Sequence, residues 1–161
     1  MKRRGLSLVV SVMIMIVLVI TSIGIIWVAV INFVEKGVEK TESCLGIFEK
    51  VGINNKYTCY NSSSGEFQFS IDIGEINVDK IIVLISDAEN SKRIEIENGK
   101  SYSDLRTYGG LYDTLINLPE KNAGLTYLTN FSNKPNSIEI APVISETICE
   151  ITDSLYEIGN C

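Results

Sequence analysis

Four cysteines, two Asn-x-Ser triplets and one loose group of acids are the residues whose types and spacing point to chemistry. Cys44, Cys59, Cys149 and Cys161 are even in number, and their wide spacings contain no CxxC pair. Histidine is absent from all 161 residues. With no CxxC pair, no histidine and wide spacings, a zinc site is the weaker reading of the four cysteines, and triads or proton shuttles built on imidazole are excluded. An even cysteine count reads instead as two disulfides in an oxidising compartment. Three pairings are open. Closure of local loops favours Cys44–Cys59 with Cys149–Cys161, each worth about 3 kcal/mol in the chain-entropy account. Nothing in the sequence marks one thiol as activated.

Asn61-Ser62-Ser63 and Asn130-Phe131-Ser132 fit the acceptor triplet for N-linked sugar, with Asn61 and Asn130 as the attachment residues. Asp72, Glu75 and Asp79 stand close together but lack the ligand spacing of a calcium loop, and read as a solvated acidic face. No Ser, Lys or carboxylate stands at a catalytic spacing. The expectation is no catalytic residue, no cofactor and no metal, in a chain that is not an enzyme. Lys+Arg number 14 against 20 Asp+Glu, a formal net charge of −6. An acidic surface of that kind does not suit the phosphates of nucleic acid.

The elements that must carry these residues begin with an apolar run. Residues Met1-Lys2-Arg3-Arg4-Gly5 are followed by 29 residues without a charge, Leu6 to Val34. At 1.5 Å per residue the run makes roughly 43 Å of helix, against a hydrocarbon core of about 30 Å. The cations ahead of it hold that end in the cytoplasm and place the rest of the chain outside. A cleavable signal peptide is the competing reading, with Ser22-Ile23-Gly24 as its cleavage site. Against it, Ile25-Ile26-Trp27-Val28-Ala29-Val30-Ile31 carries the apolar run straight on. Ser7, Ser11 and Ser22 share a helix face, where they either approach a neighbouring helix or bond back to their own carbonyls.

The order basic residues, glycine, Leu-Ser, long aliphatic helix resembles the amino end of archaeal type IV pilins and archaellins, over roughly Lys2 to Val34. The resemblance implies that a membrane-embedded prepilin peptidase cuts between Gly5 and Leu6. It also implies that the mature helices, from other copies or sister subunits, bundle into the core of an extracellular filament. The chain departs from many type IV pilins at Val10, where those carry a glutamate that pairs with a neighbour's amino terminus. Ile14, Leu18 and Ile25 lie on one helix face and are the candidate assembly residues.

Val34, Val38, Leu45 and Phe48 continue a helical stripe, so residues 6–52 are expected as one helix, apolar and then amphipathic, after a leader of residues 1–5. Residues 53–161 change to a period of two. Strands are expected over Glu66 to Ile71, Ile81 to Ile85 and Arg93 to Glu97, with Asn98-Gly99 as a turn. Gly124 to Phe131 and Ser137 to Ile144 are expected to pair with each other, and Tyr112 to Asn117 has the makings of a short helix. The fold class expected is α+β, a long helical spine carrying a small antiparallel sandwich or sheet. Two functions follow from different classes. One is a filament subunit for adhesion or motility, membrane-bound before assembly and on the cell surface afterwards. The other is a monomeric, signal-anchored ectodomain that binds or senses.

Overall fold

The computed structural model describes the backbone of residues 4–42 and 44–161, and the side chains of residues 9–34 and 44–161. Lys2 and Arg3, and the side-chain surroundings of Gly5 and Leu6, lie outside the described residues. The chain forms two compact units, Met1–Glu42 and Ser43–Cys161.

The first unit is a single α-helix, α1 (Arg4–Glu42), of 39 residues. Its many Val and Ile residues cost a few tenths of a kcal/mol each in helix propensity. In an apolar surrounding the need to bond every backbone group outweighs that cost, and a helix bonds them all internally. The helix stops at Glu42, ten residues before the expected end. Gly46 takes a left-handed φ of +77°, Cys44 is held in a disulfide, and Ile47 and Val51 are buried in the second unit's interior. Leu45 and Phe48 are therefore exposed turn residues, not the continuation of a helical stripe.

The second unit is a β-sandwich. Its strands are β1 (Val51–Ile53), β2 (Cys59–Asn61), β3 (Glu66–Ile73), β4 (Lys80–Ser86), β5 (Ser91–Glu97), β6 (Lys100–Ser101), β7 (Leu105–Thr107), β8 (Leu115–Ile116), β9 (Ala123–Asn130), β10 (Ser137–Ile144), β11 (Thr147–Ile148), β12 (Asp153–Tyr156) and β13 (Gly159–Asn160). One sheet runs β13-β2-β3-β9-β7, with β1 also on β3; the other runs β11-β10-β4-β5, with β12 also on β10. A small third sheet pairs β6 with β8. Period-two alternation turns Phe67, Phe69, Ile71 and Ile73 of β3 toward Ile81, Val83 and Ile85 of β4 and Ile138 and Ile140 of β10, in one continuous core. Phe69 stacks on Phe67 and Tyr127, with ring centroids 5.7 and 5.5 Å apart. Tyr127 is fully buried, yet its hydroxyl donates to the Asn117 carbonyl at 2.8 Å, so burial pushes its titration upward without stranding a donor.

Ser70 and Thr58 are buried polar residues with a common cause. A single 3-10 turn, Asn55–Tyr57, joins β1 to β2 along one edge of β3. Asn54 N donates to the Ser70 carbonyl at 2.9 Å, the Thr58 hydroxyl to the Asn54 carbonyl at 2.9 Å, and Ser70 N to the Thr58 hydroxyl at 3.3 Å.

The Asn98-Gly99 turn forms as expected between β5 and β6, with Gly99 at φ +73°. Two local expectations are corrected. β9 does not pair with β10: β9 lies between β3 and β7, β10 lies on β4, and residues 131–136 cross from one sheet to the other. Residues Tyr112 to Asn117 contain no helix; Leu115 and Ile116 pair with Lys100 and Ser101.

The disulfides are Cys44–Cys149 and Cys59–Cys161, with Cα separations of 5.5 and 5.0 Å. The expected local pairing, Cys44–Cys59 and Cys149–Cys161, is thus incorrect. The reason is sheet order. β13 lies parallel to β2, with Gly159 opposite Cys59 and Cys161 N donating to the Tyr60 carbonyl at 3.1 Å, so the last residue arrives beside Cys59. Cys149 N bonds the Pro142 carbonyl at 3.0 Å, at the same end of the sandwich where Gly74 N bonds the Lys50 carbonyl at 2.7 Å.

Candidate functional surfaces

The apolar helix offers the first surface. Every residue from Val9 to Val34 is exposed within the chain, and this 26-residue stretch is long and apolar enough to cross a membrane. A segment of this length and position serves as a membrane anchor or as a signal sequence. Ile14, Leu18 and Ile25 stand 55%, 59% and 72% exposed, and their spacings of four and seven keep them on one face. Two hydroxyls in the run bond inside the helix: Thr21 Oγ1 donates to the Val17 carbonyl at 2.9 Å, and Ser22 Oγ to the Leu18 carbonyl at 2.7 Å. Ser22 thus takes the back-bonded role. These bonds remove the cost of carrying a hydroxyl through an apolar medium.

The second unit has two unlike ends. At the end where residues 44–50 lead into β1, the Cys44–Cys149 bridge is flanked in sequence by four exposed apolar side chains, Leu45, Phe48, Ile148 and Ile151. The opposite end is polar. There β2 turns into β3 through Ser62, Ser63 and Ser64, β4 into β5 through Asp87, Glu89 and Asn90, and β9 crosses to β10 through Ser132, Asn133, Lys134 and Asn136.

Both Asn-x-Ser triplets lie at this polar end. Asn61 pairs with Glu66 and Glu66 with Asn130, so the two asparagines occupy one row across β2, β3 and β9. Asn61 Oδ1 accepts from Ser63 N at 3.0 Å and Ser64 N at 3.4 Å. Sequence reasoning had no signal for the group between them. Arg106, reaching across β9 from β7, donates from Nη2 to Glu66 Oε1 at 2.8 Å and from Nε at 3.3 Å. The Tyr112 hydroxyl donates to the same oxygen at 2.9 Å, with Asn130 Oδ1 at 3.3 Å. The Arg106 guanidinium also stands over the Tyr112 ring, 5.3 Å from its centroid. These residues are 40 and 46 positions from Glu66, a separation at which no local pattern operates.

The hydrogen bond from Arg106, aided by that from Tyr112, holds the Glu66 carboxyl below its usual range against the opposing effect of burial. A depressed carboxyl stabilises the folded state above its unfolded value near 4.3, and the benefit is lost as pH falls through the lower folded value. Glu66→Gln is accordingly expected to cost about 1–2 kcal/mol at pH 7. Urea unfolding repeated at falling pH checks this: the gap between variant and wild type should close below about pH 4. A gap that stays constant down to pH 2.5 contradicts the assignment.

The acids singled out by sequence do not converge. Asp72 Oδ2 accepts from Asn54 Nδ2 at 2.9 Å, and Asp79 Oδ2 from Ser145 N at 2.7 Å, each a local structural contact. Among the described residues no group of three or more Cys, Asp or Glu is placed to hold a metal ion, and all four cysteines are in disulfides. No family model, curated protein or solved structure matches this chain.

Proposed function

We propose that this chain is a structural subunit of an extracellular filament of the type IV pilin or archaellin kind, with no catalytic role. The observation that carries the reading is the apolar helix: 26 consecutive exposed residues, Val9–Val34, directly after Arg3-Arg4-Gly5-Leu6-Ser7-Leu8. Before assembly, lipid covers that surface. After a prepilin peptidase cuts between Gly5 and Leu6, the helices of neighbouring copies or sister subunits replace the lipid, packing through the face of Ile14, Leu18 and Ile25. Export also agrees with the two disulfides.

The reading predicts a mature chain that begins at Leu6 and is recovered in filaments sheared from the cell. Amino-terminal sequencing and electron microscopy of the host's surface fraction test both parts together. Gly5→Trp is expected to leave an uncut precursor in the membrane, because a bulky side chain blocks the backbone approach that glycine permits. An uncut wild-type chain with no filaments identifies instead a tethered binding or sensory ectodomain. A chain beginning at Ile25 identifies a secreted protein.

A further inference from the structure

We propose that β5 carries a strand-addition edge for a second copy of this chain, and that the Tyr102 hydroxyl holds that edge shut. The inference concerns the β unit alone and does not depend on filament assembly. β5 (Ser91–Glu97) is the last strand of its sheet and seven residues long. Among the described residues it pairs only with β4. Its other edge is a row of backbone groups through which another chain can extend the sheet.

The register identifies those groups. Asp87 N donates to the Asn90 carbonyl at 2.9 Å, the first bond of the β4–β5 ladder. Bonded pairs recur at every second residue, so Lys92, Ile94 and Ile96 bond to β4. Ser91, Arg93, Glu95 and Glu97 turn their N–H and C=O groups the other way.

Tyr102 meets that row. Its ring packs against the core, and its hydroxyl donates to the Glu95 carbonyl at 2.6 Å and accepts from Glu97 N at 3.1 Å. A residue of an added parallel strand makes the same two bonds, one given to residue i and one taken from residue i+2. A single hydroxyl thus stands where a strand would lie. The segment that carries it is tied at three further points. Asp113 N donates to the Tyr102 carbonyl at 3.0 Å, the Lys92 ammonium meets Asp104 Oδ2 at 2.8 Å, and the Thr129 hydroxyl donates to the Asp104 carbonyl at 2.7 Å. Residues 102–104 therefore run beside β5, from Glu97 to Lys92, as a strap.

The strand that fits this edge is its own counterpart. Arg93 holds Glu95 of its own chain at 2.6 Å, so both side chains stand on the outer face of β5. Two β5 strands laid antiparallel about Ile94 put Arg93 of each copy opposite Glu95 of the other. Ser91 of each then faces Glu97 of the other. Opposite charges facing each other across a sheet are favourable, and in this register no like charges meet. The contact is isologous, so it joins two five-stranded sheets edge to edge and closes at two copies. With the strap in place the copies stay apart at this edge, and association is left to other surfaces.

The test uses the full chain in detergent micelles, with the number of chains per micelle measured by light scattering. Tyr102→Phe keeps the packed ring and removes only the hydroxyl. It is expected to double the number of chains per micelle found for wild type. Adding Arg93→Glu sets like charges opposite each other at two places, and is expected to return the count to the wild-type value. Amide exchange should show the Glu97 N–H protected in wild type and about five- to ten-fold less protected in dilute Tyr102→Phe. An unchanged chain count in Tyr102→Phe overturns the proposal, as does a count that stays doubled after Arg93→Glu is added. A Glu97 amide that exchanges freely in wild type overturns it too, because the hydroxyl then closes nothing. The presence or absence of wild-type filaments bears on the filament reading alone.

Discussion

Replacing Cys44 and Cys149 together by Ser is expected to lower the stability of the β unit by about 3–4 kcal/mol. The bridge spans 105 residues, but with Cys59–Cys161 in place the loop it closes runs through that second bridge, over roughly 27 residues, and removes about 3.5 kcal/mol of unfolded-chain entropy. Cys59→Ser with Cys161→Ser should cost nearly the same, because it opens the same loop. Together the losses approach the whole 5–15 kcal/mol that a domain typically has, so the four-fold variant is expected to be unfolded at ordinary temperature. Urea unfolding of the full chain measures each double variant, and peptide mapping without reductant checks the links. A loss below 1 kcal/mol, or a Cys44–Cys59 peptide, refutes the topology argument.

The same two bridges show where local sequence information stops. The cysteine count and compartment are properties of composition and of the apolar run, so two disulfides were legible. Their pairing depends on β13 lying parallel to β2 and on the corner after β11 meeting the segment that leads into β1. Those are long-range facts, and they reverse the choice that short loops favour. Strands β3, β4 and β5 and the Asn98-Gly99 turn were legible because period-two burial and a left-handed glycine are written residue by residue. The partners of β9 and β10 were not. A five-residue polar connection reads as a hairpin, but the buried Phe131 and Pro135 turn it into a crossing between sheets. The end of α1 was misplaced for a related reason. Leu45 and Phe48 keep helical spacing, yet the interior of the β unit takes Ile47 and Val51 instead. The asparagines were identified from the triplets alone, whereas their common row and the Glu66–Arg106–Tyr112 group between them depend on β3 and β9 being neighbours.

Leu18→Ala combined with Ile25→Ala is expected to leave the chain in the membrane and abolish its filaments. The two roles of α1 respond very differently to lost methylenes. On the insertion scale each Leu or Ile contributes about 0.3–0.6 kcal/mol at the helix centre. With a span of 26 residues available, losing two contributions of that size does not stop insertion. A packed interface is less forgiving. Truncating a buried Leu or Ile to Ala costs about 2–5 kcal/mol, because the neighbours do not close the cavity completely. Even the lower figure, summed over both sites, is roughly 4 kcal/mol per subunit, close to a thousand-fold in association. Leu18 and Ile25 are 59% and 72% exposed in the single chain, so neither substitution removes a buried side chain from the subunit itself. The stability of the β unit should be unchanged, which separates an assembly defect from misfolding. The measurements are the membrane-fraction level, the position of the mature amino terminus, and filament counts by electron microscopy. Wild-type filament numbers from the double variant would show that this helix face is not an assembly surface.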